Sequence, residues 1–469
     1  MTEAFGYDNR IHGAGANPQS YRDPSSRVVL AEESVTRHLG TEAAAWFRGV
    51  EETGLLVDLV ADGLLQPFER TEIADGSMIV VSPRIPFVTY PSEWTTSMLK
   101  DAALLTLEII DRAWDREVHV RDASAFNVVF DGGRPVFVDH GSFRPGHTPF
   151  WLAYGQFCDH FLNPLALNVL TGTPQRTVWD SSLEGLSAAD LRGILGLRSL
   201  RRGLLRHVYV RAALERGGDG LDAGARRELR SEFGVAPDKT RGLIDTVARQ
   251  VRRLEPTAPT AWVGYEDDNS YSVEEAAVKE QALRELVGAV KSRRLSVDLG
   301  ANTGRYSLVL TDYFDQVVAL DFAEGAVESL YQRIRSGEAP RRLTTGVSDL
   351  LDPTPGRGVL NEERPALLDR LSGADLFVWL ALVHHLVISR NVPLQIVATA
   401  ARRLGPTHII EHIGPGDPMS QLLSASKTEG SWPSDRAEFE RAMGEVFEIV
   451  AVERVTQYRH LYLYQAPGP

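Results

Sequence analysis

Residues Leu295-Ser-Val-Asp-Leu-Gly-Ala-Asn-Thr-Gly304 decide the fold of this chain. Leu295, Val297 and Leu299 alternate as the side chains of a strand do. Gly300 then allows a turn without a Cβ, and Tyr306 to Leu310 resumes as a helix. Strand, tight turn and helix N-terminus in succession present unpaired N–H groups and a close backbone approach to a bound nucleotide. A dinucleotide fingerprint requires G-x-G-x-x-G. Counted from Gly300, its second and third glycine positions hold Asn302 and Arg305, so that pattern fails. What remains is Asp298, Gly300 and Gly304, with Asp321 closing the next apolar run, Val317-Val-Ala-Leu-Asp321. An acid about twenty residues past the turn, at the end of the second strand, is placed to accept both hydroxyls of a ribose.

This segment resembles motif I and the following acidic position of class I S-adenosylmethionine (SAM) methyltransferases. The resemblance continues downstream. Ser348-Asp349 follows a third short apolar run, Ala374 to Leu380 reads as a fourth strand and Thr407 to His412 as a fifth. Phe447 to Val455 pairs naturally with Tyr458 to Gln465 as an antiparallel hairpin. The resemblance implies an α/β fold with a Rossmann-like sheet of seven strands whose last hairpin is antiparallel. It also implies SAM as cofactor and S-adenosylhomocysteine (SAH) as product, with contacts from Tyr271, Asp298, Gly300, Asn302, Gly304, Asp321 and Asp349. Asp349 takes the position that meets the adenine amino group. Trp262, Tyr265 and Tyr271, in the lead-in to a helix over Glu274–Lys291, either cover the cofactor or seal that helix against the sheet.

Composition narrows the classes. A chain of 469 residues is long enough for two or three domains, and 43% hydrophobic with 24% charged residues suits a globular protein in water. No apolar run approaches a membrane span, and residues 1–20 lack the order of a signal peptide, which points to the cytoplasm. The single cysteine, Cys158, excludes an internal disulfide and a cysteine-clustered metal site, and no other metal-ligand spacing stands out. The net charge of -13 weighs against nucleic acid as a partner. Arg192, Arg198, Arg201, Arg202 and Arg206, interleaved with leucines, read as a solvated helix face.

Upstream lies a second informative stretch. Val120-Arg-Asp-Ala-Ser-Ala-Phe-Asn127 precedes a short hairpin over Val128–Phe130 and Pro135–Val138, and Asp139-His-Gly141 follows it. Phosphotransferases carry an Asp and an Asn at this spacing on a catalytic loop and a metal-binding Asp-x-Gly one hairpin later. Asp122, Asn127 and Asp139 match that order, so the segment resembles a protein-kinase-like or aminoglycoside-phosphotransferase-like fold. It departs from the pattern in lacking the glycine-rich loop, and Lys100, the lone preceding lysine, sits on the wrong helix. Arg37, at the end of an expected hairpin over Val28–Leu30 and Val35–His38, is the candidate for the lysine slot. Two readings follow: residual nucleotide or metal binding, or a lobe in which the three residues only brace a loop.

The whole arrangement is similar to the nodulation-protein-type branch of SAM methyltransferases, in which a kinase-like half and a methyltransferase half share one chain. The expected organisation is an arm over 1–27 and a kinase-like α+β domain over 28–254, with a small lobe at 28–90 and a helical lobe at 91–254. A linker at 255–261 and the methyltransferase domain at 262–469 follow. One long helix is expected over Ala43–Leu65 and another over Trp94–Trp114. The expected activity is methyl transfer to a small-molecule acceptor, with the first half as scaffold, recognition lobe or surface of a homodimer. The alternatives are a bifunctional phosphotransferase and methyltransferase, or a methyltransferase acting on protein or RNA. His384 and His385, just past the fourth strand, are the candidate bases, and Glu411 and His412 at the end of the fifth are the reserve. An imidazole base at its ordinary pKa makes activity fall below about pH 6 to 7.

Overall fold

The computed structural model describes residues 25–146, 148, 151–196, 207–208, 211–212, 237–255, 273–425 and 435–468. They divide into two compact units. One holds the described residues through 130, those of 135–255, and 355–365; the other holds 131–134, 273–354 and 366–468. Two short segments, 131–134 and 355–365, thus belong to the unit their sequence neighbours do not join. Arg198, Arg201, Arg202, Arg206, Trp262, Tyr265 and Tyr271 lie outside the described residues.

The first unit opens with β1 (Ser26–Leu30) and β2 (Ser34–Leu39), the expected hairpin, which starts two residues earlier than the sequence suggests. After α1 (Thr41–Glu51) and α2 (Leu55–Ala61) come β3 (Glu69–Glu72) and β4 (Met78–Pro83), completing a four-stranded antiparallel sheet of order β1-β2-β4-β3. The single helix expected over Ala43–Leu65 is therefore two. Gly54 at φ 75° ends the first with a left-handed residue and starts the second, a break that apolar spacing alone does not reveal. The second expected helix forms as α3 (Thr96–Trp114), because the Thr95 hydroxyl accepts from Met98 N and caps it. Beyond β5 (Val118–Val120), the hairpin of β6 (Val128–Asp131) and β7 (Arg134–Phe137), and β8 (Phe143–Pro145), the chain is mainly helical. Its helices include α4 (Asn163–Thr171), α5 (Ala188–Leu195), with Ser187 as its cap, and α6 (Pro237–Arg253).

The second unit begins with α7 (Val273–Gly288) and is built on one sheet. Its strands are β9 (Leu295–Leu299), β10 (Gln316–Asp321), β11 (Leu343–Val347), β12 (Leu376–Trp379), β13 (Thr407–Ile413), β14 (Glu448–Arg454) and β15 (Arg459–Gln465). The order is β11-β10-β9-β12-β13-β15-β14, parallel through the first five, with β15 antiparallel to both neighbours. These are the seven strands and the closing antiparallel hairpin expected from the sequence. The unit's helices also include α8 (Arg305–Leu310), α9 (Glu324–Ser336), α10 (Leu394–Leu404), α11 (Pro418–Ala425) and α12 (Arg436–Gly444).

Alternation along the strands sorts the two faces. Leu376 and Val378 join Leu283, Leu286, Leu330 and Ile334 in one core. Phe377 and Trp379 face the other way. There the His408 ring stacks on Phe377 at 5.2 Å, accepts from Trp379 Nε1 at 3.1 Å through Nδ1, and donates from Nε2 to Gly405 O at 3.0 Å. Burial pushes the His408 imidazole down to about 4, so it is a neutral, structural histidine. No helix among the described residues is long and apolar enough to cross a membrane.

Asp375, just ahead of β12, accepts from Arg294 N at 2.7 Å and Leu295 N at 3.1 Å and so sets where β9 begins against its neighbour. Asp375→Ala strips both donors of their partner and is expected to lower the unfolding free energy by about 1–3 kcal/mol. Equilibrium denaturation of the variant, with no change in midpoint, would show that the strand start is set elsewhere.

Candidate active site

The carboxyl ends of β9, β10, β12 and β13 carry the residues singled out by sequence, at the edge where open α/β sheets take their ligands. Asp298 is buried near the end of β9 and its Oδ2 accepts from Ser307 Oγ at 2.6 Å. Burial pushes its carboxyl up to about 6, against the Ser307 hydrogen bond and with Asp321 adding to the rise. Gly300 turns at φ 74°, and Asn302 follows at 49°. Gly304, at 84°, starts α8. The left-handed φ favours glycine at both positions, and packing within the unit adds to that at Gly304. A Cβ at Gly304 would lie 2.6 Å from Leu330 Cδ1, and one at Gly300 would lie 3.3 Å from Leu382 Cδ1. At Gly304 the close approach within the unit is that of α9 to the turn.

Asp321 holds this turn. Its Oδ2 accepts from Asn302 N and its Oδ1 from Ala323 N, both at 2.8 Å. Burial raises its carboxyl pKa, and those backbone hydrogen bonds oppose the rise. Each oxygen keeps acceptor capacity for a further donor, so the residue fits a diol. Phe322 follows with half its surface exposed. Asp349, past β11, caps its own turn by accepting from Leu351 N at 2.9 Å and lies 3.8 Å from Arg390 in an exposed ion pair.

Ala381, the second residue of the loop after β12, lies in the left-handed region at φ 51°. Its N–H donates to Glu411 Oε2 at 2.7 Å, and the same oxygen receives Lys279 Nζ from α7 at 2.6 Å. Both ionic side chains are almost entirely buried, at 1% and 0% exposure. Burial lowers the Lys279 ammonium, while the adjacent Glu411 charge opposes that. Arg459 lies 3.7 Å from Glu411 Oε1 and clamps Asp417 through Nε at 2.6 Å and NH2 at 2.9 Å. Asp417 Oδ1 in turn accepts from Met419 N and caps α11. Glu411, the reserve base, thus stands inside a four-residue charge network.

His384 and His385 form the next step, their ring centroids 4.2 Å apart. His384 is buried, lines a small crevice with Val383, Val387, His412 and Phe439, and has no hydrogen-bond partner on either ring nitrogen among the described residues. Burial holds its imidazole well below the ordinary value, and His385, Arg459 and Lys279 add to the depression. His385 opens a π-helical stretch over His385–Ser389 and is lowered by burial in the same direction. π-helical turns recur at functional sites.

In the first unit, Asp122, Asn127 and Asp139 are occupied by their own loop. Asn127 Nδ2 donates to Asp122 O at 3.3 Å, and Asp122 Oδ1 accepts from Ser124 N at 2.9 Å. Asp139 Oδ1 accepts from Gly141 N at 3.1 Å and pairs with Arg37 NH1 of β2 at 3.2 Å.

Sequence reading passed over Lys279, Ser307, Arg459 and Asp417. Only Asp417 carried a local signal, as the acid in Glu411-His-Ile-Gly-Pro-Gly-Asp-Pro418.

No protein-family model matches the chain. The nodulation protein NoeA of Rhizobium meliloti (strain 1021) is 29% identical over 441 residues, 90% of each protein. The crystal structure of the N-methyltransferase NodS from Bradyrhizobium japonicum WM9 with SAH is 11% identical and covers 44% of this chain and 91% of that one, with a TM-score of 0.32. Magnesium protoporphyrin IX methyltransferase (ChlM) from Synechocystis PCC 6803 with bound SAH is 15% identical over 44% of this chain and 92% of that one, with a TM-score of 0.30.

Lys279→Met leaves Glu411 buried with its principal cation gone and is expected to cost about 3–5 kcal/mol of unfolding free energy. Denaturant titration giving a loss within the noise of surface substitutions would mean that the pair is solvated in solution.

Proposed function

We propose that this chain is a SAM-dependent methyltransferase acting on a small-molecule acceptor, a specialised metabolite or sugar-like compound, and that its second unit carries the chemistry. The observation that carries this is the turn after β9: Asp298, Gly300, Asn302 and Gly304 in a strand-turn-helix junction, with Asp321 bonded back to it at the end of the next strand. Asp321 would hold the ribose, Asp349 the adenine amino group, and the Gly300–Gly304 backbone the remainder. Tyr271 joins them as a lead-in aromatic. When bound, SAM supplies an electrophilic methyl group on a sulfonium.

Methyl transfer is an in-line displacement, so the protein's task is to align the acceptor and keep water out. The narrow crevice beside His384 suits the second need, being apolar on Val383, Val387 and Phe439 with a neutral imidazole among them. His384 or His385 takes the acceptor's proton as the bond forms. Glu411 acts from behind, since its carboxylate is already committed to Lys279 and the Ala381 amide. The acidic balance of the chain favours a small molecule over RNA or DNA.

The first unit is a kinase-like lobe that serves as scaffold, recognition lobe or homodimer surface in a cytoplasmic enzyme. Arg37 in contact with Asp139 supports the scaffold role, because a cation of the protein stands where a catalytic metal would need the carboxylate.

Four outcomes test these assignments. Asp321→Ala should lose roughly 1–3 kcal/mol of SAM affinity by calorimetry, the scale of hydrogen bonds to a charged group; an unchanged affinity removes Asp321 from the site. One of His384→Ala and His385→Ala should slow transfer by about 10² to 10⁴-fold while SAM still binds. Because burial lowers both imidazoles, the base stays unprotonated to lower pH than a solvated histidine, and turnover should hold level through pH 6.5 and fall only further into acid. A decline centred at or above 6.5 would assign the base to another group. Purified protein should neither hydrolyse ATP nor transfer its phosphate. Phosphoryl transfer abolished by Asp139→Asn would establish the bifunctional alternative.

A further inference from the structure

Glu411 Oε2 receives two donors from different directions: Lys279 Nζ from the middle of α7 and the Ala381 amide from the end of β12. Ala381 is held at φ 51°, a conformation that a residue with a Cβ adopts at a cost and keeps only where its surroundings impose it. From that residue the chain runs through Leu382, which packs against the Gly300 turn, to His384 and His385. On the far side Arg459 links Glu411 to Asp417, the cap of α11. Lys279 Nζ also sits 4.7 Å from the centre of the Tyr306 ring, one residue into α8. Four buried charges thus connect the helix ahead of motif I, the turn after β12, the end of β13 and the start of β15.

Cohesion alone does not account for this arrangement. A buried ion pair returns little more than its desolvation costs, and an apolar pair of similar volume would fasten α7 to the sheet as well. What an apolar residue at 411 would not do is accept the Ala381 N–H. What Lys279 adds is a cation that keeps the acceptor ionised and fixed in orientation.

We propose that Lys279 and Glu411 are positioning residues for the acceptor site, acting on His384 and His385 through the Ala381 turn. The assignment of those histidines to the acceptor rests on the methyltransferase reading above; the positioning does not.

Two double variants separate positioning from cohesion. Lys279→Met with Glu411→Gln removes both charges and keeps a carbonyl acceptor for Ala381. Lys279→Met with Glu411→Leu removes the charges and the acceptor together. The readout is the set of His384 and His385 ring resonances in ¹H–¹⁵N spectra of the full chain, with circular dichroism as the check of folding. Both doubles lose the same two charges, so the shift common to them is electrostatic, and the leucine double should move the ring signals further than the glutamine double. Ring signals displaced equally in the two folded doubles, or unchanged in the leucine double, would overturn the proposal. If neither double folds, hydrogen exchange on the wild type decides: the Ala381 amide should be protected, and exchange at the rate of an exposed loop would overturn the proposal equally. SAH calorimetry on the wild type runs beside these. Absence of binding there would sink the methyltransferase reading and leave the ring signals to decide the positioning.

Discussion

The Asp321 carboxylate is the constraint on which the second unit's edge depends. It closes β10, accepts the amide of Asn302 from the turn after β9, and caps its own loop through Ala323. Asn302 at φ 49° and Gly300 at 74° sit in conformations that the chain keeps only under such restraint. The turn is therefore shaped before any ligand arrives, which is what a site that binds through backbone groups requires. Leu330 beneath Gly304 and Leu382 beside Gly300 complete the restraint from α9 and from the loop after β12.

A second restraint sits three strands away, on β13. Lys279, Glu411, Arg459 and Asp417 place four charges in the interior, each answered by a partner of opposite sign. Their combined effect is geometric, since one oxygen of Glu411 sets where the chain leaves β12. The two restraints meet at Leu382, which lies against Gly300 and follows Ala381 directly. The turn after β9 and the histidine step are thus joined through one packed side chain, and burial of the histidines leaves neutral imidazoles there.

How much of this could be read beforehand depends on whether the signal is local. The strand, turn and helix at Leu295–Leu310 announced themselves because alternation, glycine and helical spacing are all short-range patterns. The seven strands and the antiparallel closing hairpin followed from the resemblance, and the sheet has both. The Ala43–Leu65 helix was misread because Gly54 interrupts the backbone without interrupting the apolar spacing. Glu411 was legible as a residue at the right edge but its role was not. Its partner Lys279 lies 132 residues away and nothing near either residue marks the pairing. Arg37 and Asp139 show the intermediate case, in which sequence singled out each residue and the structure pairs them.

The claim that the turn after β9 holds SAM is tested most directly by a crystal structure of the chain grown with SAH. The expected result is a ribose whose two hydroxyls donate to Asp321, with the rest of the molecule running along Gly300–Gly304 toward Leu382. SAH bound away from Asp321, or no binding at saturating concentration, would contradict it.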